Sequence, residues 1–484
     1  MFDTGDPFAV QIDDGTETAT YTVQDDGTAT SDAPLYWTNT TPNRTVSAWY
    51  PATDGTLDLG DQSQSLAYLL GGTGTGDYLT PVKLTFTHQL AKVRITPTDD
   101  ALGEVQSLQL YTYTQCTYEK GTVVQGSQEG WIKMKKCEYT ENGATITCWE
   151  ANVVPDYKIT KLMANGTEER KLSSGITPEA GKFYNITLDK DKGYTDDGHG
   201  NYTVTSAEGL KNIAELVNEE WKLDINITLT NNIDLTGIDW TPIGKDDNKA
   251  YTGTFDGNGK TITGLTVTRS NRYTGLFGFI KGTVKNVVLT EVNITSGTFV
   301  GGVAGWSFGG NIENCSVSGS VSGSSGSDVG GVVGYQQVGS ITGCSSSATV
   351  KGTERAGGVV GVTNGGTTPL TACYATGNVT VENDGTSNAW AGGIVGMNGT
   401  GTLIACYAAG NVSGNIVGGA VGVNYATVTA CYWSGLPDND NGGATKVDGT
   451  TVTWQNAVDA MNNALNGSGW QYELTGALPT LKKQ

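Results

Sequence analysis

The sequence predicts an all-β protein in two parts: an N-terminal β-sandwich, then a C-terminal right-handed parallel β-helix with capping helices. Three observations carry that prediction. A Gly-Gly hexapeptide recurs through the second half, with steps of 29, 27, 35 and 26 residues. Apolar residues alternate there in short runs bounded by Gly or Asn, the period-2 signature of strands. Gly supplies 69 of 484 residues, while Asp, Glu, Lys and Arg together make up only 16%.

The hexapeptide stands as Val300–Gly305, Val329–Gly334, Ala356–Gly361, Ala391–Gly396 and Val417–Gly422, each with the pattern apolar-Gly-Gly-apolar-apolar-Gly, and Gly275-Leu-Phe-Gly278 is a divergent first copy. Cysteines keep the same beat at Cys315, Cys344, Cys373, Cys406 and Cys431, within texts such as Ala372-Cys-Tyr-Ala-Thr-Gly-Asn-Val379 and Ala405-Cys-Tyr-Ala-Ala-Gly-Asn-Val412. Strands this short, returning without a helix between them, suit a coil whose rungs stack as parallel sheets. The Gly-Gly step lets the backbone turn or approach its neighbour closely.

A solenoid exposes unpaired edges and apolar core at its ends, and needs caps. Ser206 is placed to N-cap a helix whose stripe is Leu210, Ile213, Ala214, Val217 and Trp221. Trp454, Val458, Met461 and Leu465 repeat the same spacing near the other end, with Gly467 as C-cap. The expected caps lie near 206–221 and 454–466. Residues 233–259, including the Asp256-Gly-Asn-Gly259 turn, read as irregular first rungs.

Residues 1–190 carry no repeat. Aromatics cluster at Tyr36-Trp37, Trp49-Tyr50, Tyr111, Tyr113, Trp131 and Trp149, while Leu84–Ile95 and Phe183–Leu188 alternate as strands. This suits a sandwich over 1–190, a polar linker over 191–200, and a β-helix with its caps over 201–484.

Composition excludes several partners. The net charge of −20 opposes phosphate, so nucleic-acid binding through counterion release is ruled against. No stretch approaches the ~20 consecutive apolar residues of a membrane-spanning helix. The 11 Trp, 21 Tyr and 9 Phe argue against a solvated coil. Met1-Phe2-Asp3 lacks a basic and apolar leader, and the expectation is an exported protein whose signal is absent from this sequence.

At these motifs a family resemblance enters. The hexapeptide and Gly275-Leu-Phe-Gly278 resemble the GLUG repeat of bacterial surface proteins over about residues 200–480. The first 190 residues resemble the fimbrillin (Mfa-like) domain of Bacteroidetes through Gly5-Asp6, Leu35-Tyr-Trp37, Val46–Pro51, Phe86–Val93, Val153-Val-Pro155 and Gly181–Tyr184. The resemblance implies a surface adhesin at the outer membrane or in a fimbrium. The chain opens at the Gly-Asp motif and closes at Lys482-Lys-Gln484 with no strand expected past the cap helix. By resemblance it could accept a strand from a pilus neighbour yet has none to donate, as a tip or accessory subunit would. A leader trimmed from the sequence explains the same start.

Candidate chemistry is sparse. The two histidines, His88 and His199, lie outside the repeats. His88 reads as a structural residue in mid-strand. Asp196-Asp-Gly-His-Gly200 superficially resembles two polygalacturonase elements, but those stand on different rungs, whereas here they are contiguous in the linker. A glycosidase needs two carboxylates at a defined separation. From 300 to 433 the acids are Glu313, Asp328, Glu354, Glu382 and Asp384, with Arg355 the one arginine. None of these acids is expected to meet a basic partner at rung spacing. Cys-x-x-Cys metal spacing is missing. Disulfides between stacked rungs need particular Cβ directions, and the reading adopted is a ladder of small buried thiols. Cys116, Cys137 and Cys148 allow at most one bridge. Asp438-Asn-Asp-Asn-Gly-Gly443 offers oxygens to Ca²⁺, but a solvated turn accounts for it.

No catalytic, cofactor or metal residues are therefore assigned, and no ligand-binding residue is named. The expected function is non-enzymatic adhesion to a host or bacterial surface protein or glycan, with pilus subunits as further partners. The alternatives are a carbohydrate-binding or carbohydrate-degrading β-helix, and a plain structural spacer.

Overall fold

The computed structural model describes residues 2–12, 15–41, 43–268, 272–295, 297–324, 327–366, 368–382 and 389–484. Half of the chain is strand and 6% is helical. It divides into two compact units, residues 1–191 and 192–484.

The first unit is built mostly from antiparallel pairing, with Phe183–Leu188 running parallel to Ala91–Pro97. One sheet runs Ala29–Thr30, Thr18–Val23, Pro7–Ile12, Arg44–Tyr50, Leu70–Gly76, Thr85–His88. Another centres on Leu108–Glu119, flanked by Thr122–Lys133 and Ile159–Ala164, and a third on Ala144–Val153, flanked by Lys135–Glu141 and Ala91–Pro97. Alternation decides which face is buried: Ala91, Val93 and Ile95 are fully buried beside Leu110, Leu162 and Trp149. Leu84–Ile95, expected as one strand, is two. Thr85–His88 pairs with Leu70–Gly76, the Gln89 N–H extends that ladder by one bond to the Leu69 carbonyl, and Ala91–Pro97 then joins another sheet. His88 consequently ends a strand instead of lying within one.

The second unit is a parallel β-solenoid of about eight turns. Its interior is a set of apolar columns, such as Phe255, Val284, Ile312, Ile341, Leu370 and Leu403, each in register with the next. The Gly-Gly step is where rungs come closest. A Cβ on Gly331 would sit 2.2 Å from the Gly358 carbonyl oxygen, and one on Gly358 would sit 2.1 Å from that of Gly393. Close approach, not a left-handed backbone, is what fixes glycine there.

Left-handed residues occupy a different corner, Asn286 before Val287 and then Asn314, Gly343, Ala372, Ala405 and Ala430 just before the cysteines, with φ between 49° and 66°. Asn suits that conformation and Ala does not. The Asn residues stack, Asn314 Nδ2 donating to Asn286 Oδ1 at 2.8 Å.

Ala207–Asn218 forms the first cap helix, with Ser206 Oγ accepting from the Gly209 N–H. Leu210, Ile213, Ala214 and Val217 join the solenoid core. Trp221 does not continue their stripe, as expected from spacing, because the helix ends at Asn218 and Trp221 is 58% exposed at φ 61°. Within the stretch read as linker, Tyr194–Asp196 forms a hairpin with Asn201–Val204.

The second helix, Trp454–Ala464, was expected to cap the far end with Gly467 as its C-cap. It is C-capped by Leu465 instead and lies along a flank. Ala457, Val458, Met461 and Leu465 pack with Trp470 and Tyr472 over Ala372, Ala405 and Tyr407. A strand was not expected after it, yet Thr480–Lys483 pairs with Trp470–Glu473, Tyr407 Oη donates to the Pro479 carbonyl, and Lys483 pairs with Glu313.

Candidate recognition face

The hexapeptide does more than stack rungs. Its first residues end one strand and its last begin the next, so the residues just before and just after it are carried on two adjacent sheets. Its final glycine lets those strands close on each other: a Cβ on Gly334 would lie 2.5 Å from the Val300 nitrogen and 2.7 Å from the Gly305 carbonyl oxygen. Two columns of flanking residues therefore run side by side up the solenoid. One is Tyr273, Phe299, Asp328, Arg355, Trp390, Ile416. The other is Phe279, Trp306, Tyr335, Val362, Met397, Val423.

The early rungs of this seam are aromatic. Phe279 stacks on Trp306 with centroids 5.8 Å apart, and Trp306 on Tyr335 at 4.4 Å. Phe299 meets Trp306 edge-on at 4.5 Å and stacks on Tyr273 at 5.6 Å. Such contacts add about 0.5–1.5 kcal/mol each beyond burial. Tyr273 and Phe279 form a cluster with Phe299 and Trp306 that is separate from the solenoid interior.

The seam then turns polar. Asp328, only 1% exposed, accepts a hydrogen bond from Arg355 Nε at 2.5 Å, and Arg355 Nη2 lies 3.2 Å from Glu354. Burial raises the Asp328 carboxyl to about 7 although Arg355 pulls the other way. This corrects the expectation that no acid meets a base at rung spacing: Asp328 and Arg355 are register partners on successive rungs. Both immediately precede a hexapeptide, so the sequence itself places them at equivalent positions of successive rungs. Glu382 likewise pairs with Lys351, and Glu313 with Lys483. Asp384 lies outside the described residues.

The remaining candidates are accounted for locally. His88 packs near Tyr68, with ring centroids 6.0 Å apart, and burial lowers its pKa. His199 sits in an exposed turn where Asp197 Oδ1 accepts its backbone N–H at 2.8 Å. All eight cysteines are free thiols, and those of the solenoid are buried. Burial holds Cys344, Cys406 and Cys431 well above the ordinary thiol value, which suppresses thiolate chemistry. Cys137 and Cys148 face each other across paired strands as thiols. Asp440, in the stretch weighed as a Ca²⁺ loop, has both oxygens committed. Oδ1 accepts from the Ala420 and Val421 N–H groups, and Oδ2 from those of Gly442 and Ala444. In earlier rungs the equivalent N–H groups bond to the next turn, as Val359 and Val360 do to Ile394. Asp440 thus replaces the rung that does not follow. Among the described residues, no three His, Cys, Asp or Glu side chains are grouped to hold a metal, and no helix is long and apolar enough to cross a membrane.

These features define a class: a mostly antiparallel multi-sheet domain joined in one chain to a parallel solenoid of Gly-Gly rungs. Residues 2–206 match the model of the fimbrillin-like (Mfa-like) family, and residues 296–322 and 325–351 match the GLUG motif. Halomucin of Haloquadratum walsbyi is 27% identical over 331 residues, covering 60% of this chain and 4% of halomucin. A candidate immunoglobulin A1 protease from Bacteroides ovatus superposes with a TM-score of 0.47 at 19% identity, covering 59% of this chain and 93% of that one. A candidate cell adhesion protein from Bacteroides uniformis has a TM-score of 0.29 at 22% identity, covering 39% and 88%.

Proposed function

We propose that this chain is a non-enzymatic surface adhesion protein whose solenoid presents the seam of flanking residues as its binding face. The observation that carries this reading is the division of labour within the repeat. The hexapeptide is held nearly constant by rung stacking, while the two residues bordering it range over Phe, Asp, Arg, Trp, Ile, Tyr, Val and Met on one face. Side chains that vary over a constant frame are suited to recognition where they reach the surface, as Ile416 does at 37% exposure. The fimbrillin-like domain supports placement at a bacterial surface.

Turnover is not what this arrangement suits. General acid–base hydrolysis of glycosides needs two independent carboxylates, whereas Asp328 and Glu354 share Arg355. Binding of the purified full chain to host cells, mucus and bacterial surfaces tests the reading, alongside polysaccharide and protein turnover assays. Adhesion without turnover is expected, and turnover of any substrate overturns it.

As a tip or accessory subunit, the chain would accept a strand from a neighbour. Thr480–Lys483 is engaged internally with Trp470–Glu473. Fimbrillin-derived C-terminal strand peptides are expected to bind the full chain, and lack of binding by every such peptide removes this assignment.

A further inference from the structure

We infer that a cleft in the first unit, bordered by Tyr68, His88, Lys182 and Phe183, binds a small anionic saccharide, a sugar unit carrying a carboxylate or a sulfate. The cleft is separate from the solenoid seam, so this site adds to the adhesion reading and does not depend on it.

The cleft lies where the chain leaves one sheet for another. Leu70 and His88 are in register on the first sheet. The chain then runs through Leu90 into Ala91–Pro97 of the second, where Lys92 is in register with Phe183. The space between them is about 270 Å³, with Leu69, Leu90 and Asn152 buried at its base. Its rings are open to solvent, Tyr68 at 42% and Phe183 at 52% exposure. An exposed ring offers an apolar face to the C–H groups of a sugar, and an apolar wall with a few placed polar groups is the usual composition of a small-ligand site. The volume falls just below the ~300 Å³ at which drug-sized pockets begin, which suits one sugar unit and its charged substituent.

Charge selects the ligand's sign. No residue lining the cleft is an acid. Lys182 is exposed and has no ion-pair partner among the described residues. Lys92 and Arg94 share the one carboxylate of Glu150, and the Arg94 guanidinium also lies 5.0 Å from the Phe183 ring centre. Cations therefore outnumber acids here, although the whole chain is at −20. Charges more than about 10 Å away are largely screened at 0.1 M salt, so the near field governs a bound ligand. That field attracts an anion and repels a cationic peptide.

Hydrogen bonding favours a sugar over a bare ion. Asn152 is only 4% exposed, and its Nδ2 donates to the Ala67 carbonyl at 2.7 Å. Its Oδ1 accepts from no described donor and is not among the polar atoms closed off from solvent. A free acceptor opposes an inorganic anion but takes a hydroxyl. Burial lowers the pKa of His88, and the charge of Lys92 lowers it further, so its ring is neutral at neutral pH. A neutral imidazole donates from one nitrogen and accepts at the other, again matching hydroxyl groups.

The experiment uses the full chain on an array that pairs sialylated, uronic-acid and sulfated oligosaccharides with their neutral counterparts, followed by titration calorimetry on each hit. At least one charged member is expected to bind at least about tenfold more tightly than its neutral counterpart, and the array separates carboxylate from sulfate. Lys182→Met and Tyr68→Ala replace exposed side chains, and circular dichroism and thermal melting confirm that both variants are folded. Each should weaken binding about fivefold or more, as expected for a charge-assisted contact and a stacked ring at a partly exposed site. Inorganic sulfate should compete only weakly; competition equal to that of the saccharide would make this an ion site and overturn the inference. Lys281→Met serves as the control, because Lys281 lies over the Phe279 and Phe308 rings of the solenoid. It should leave binding unchanged. Loss of binding in Lys281→Met but not in Lys182→Met would move the ligand to the solenoid and overturn the inference. No charged saccharide bound, or affinity unaltered in both cleft variants, overturns it as well.

Discussion

The solenoid's two flanks solve opposite problems with the same repeat. On one flank the residue before each cysteine is held left-handed, and from Gly343 onward it is small: Gly343, Ala372, Ala405, Ala430. The C-terminal helix and hairpin lie over this flank, and Ala372 and Ala405 are fully buried under them. A Cβ on Gly343 would come within 2.3 Å of the Trp470 ring. Rungs that carry Asn at the same corner, at 286 and 314, bond to each other there. On the other flank, the positions bordering the hexapeptide hold large aromatic, charged and aliphatic side chains. The comparison teaches that one backbone frame permits both a small, covered column and a large, variable one. What decides between them is whether another segment must pack on that side.

The covering segment offers the strongest way to break this contrast. Tyr472 is 1% exposed and reaches the Cys373 carbonyl with its hydroxyl at 3.4 Å. Replacing it with Ala should cost about 3–5 kcal/mol, as for other buried aromatics. The loss should appear as rapid proteolysis within residues 447–484 while the earlier rungs stay resistant, because repeat contacts are local. Uniform unfolding would mean the flank is integral to the coil, not a cover. Asp440→Ala comes next. It strips the acceptor from four backbone N–H groups, and each buried donor left unpaired costs about 1–3 kcal/mol. Hydrogen exchange should accelerate at Ala420 and Val421 and leave Val332 and Val333 protected.

The parts of this molecule differ in how readable they were. The hexapeptide spacing was enough for the coil, because a rung that pairs only with its neighbours writes its period into the chain. Cap helices were legible as amphipathic stripes, but not where they pack. Trp454, Val458, Met461 and Leu465 look the same whether they cover an end or a side. A small residue before Cys373 and Cys406, where Asn314 precedes Cys315, leaves room for the segment that packs there, but Ala430 keeps the same residue at a corner only partly buried, so the pattern does not by itself place the cover. The end cap was hidden because Asp438–Gly443 reads as a solvated turn, and the partners of Asp440 are backbone N–H groups that no residue code reveals. In the first unit, Ala91–Pro97 joins a sheet with Ala144–Val153, about fifty residues away, and alternation alone cannot state such a pairing.

The seam can be sharpened by its ionisation. Asp328 has a folded pKa of about 7, above its ordinary 3.8. The folded chain therefore binds this proton more tightly than the unfolded chain. Its contribution to stability is full below the ordinary value and is lost as pH rises through about 7. Melting temperatures of the wild type and Asp328→Asn, taken from about pH 8 down to about pH 5, should diverge in favour of the wild type as pH falls. A difference that is flat with pH would place Asp328 outside the buried seam.

The smallest effect separates covered from uncovered corners directly. Ala430 is left-handed at φ 49° and only partly buried, whereas Ala405, at φ 53°, is fully buried. Gly removes the left-handed penalty at either position, about 1–2 kcal/mol, and costs roughly 0.5–1 kcal/mol through greater freedom of the unfolded chain. At Ala430 the balance should be a gain of about 0.5–1 kcal/mol. At Ala405 the buried methyl is also lost, worth about 0.8 kcal/mol, so Ala405→Gly should come out near zero. Chemical denaturation of the two variants measures this. Equal gains at both corners would show that the methyl of Ala405 contributes nothing beneath the hairpin, and the small column would then need another cause.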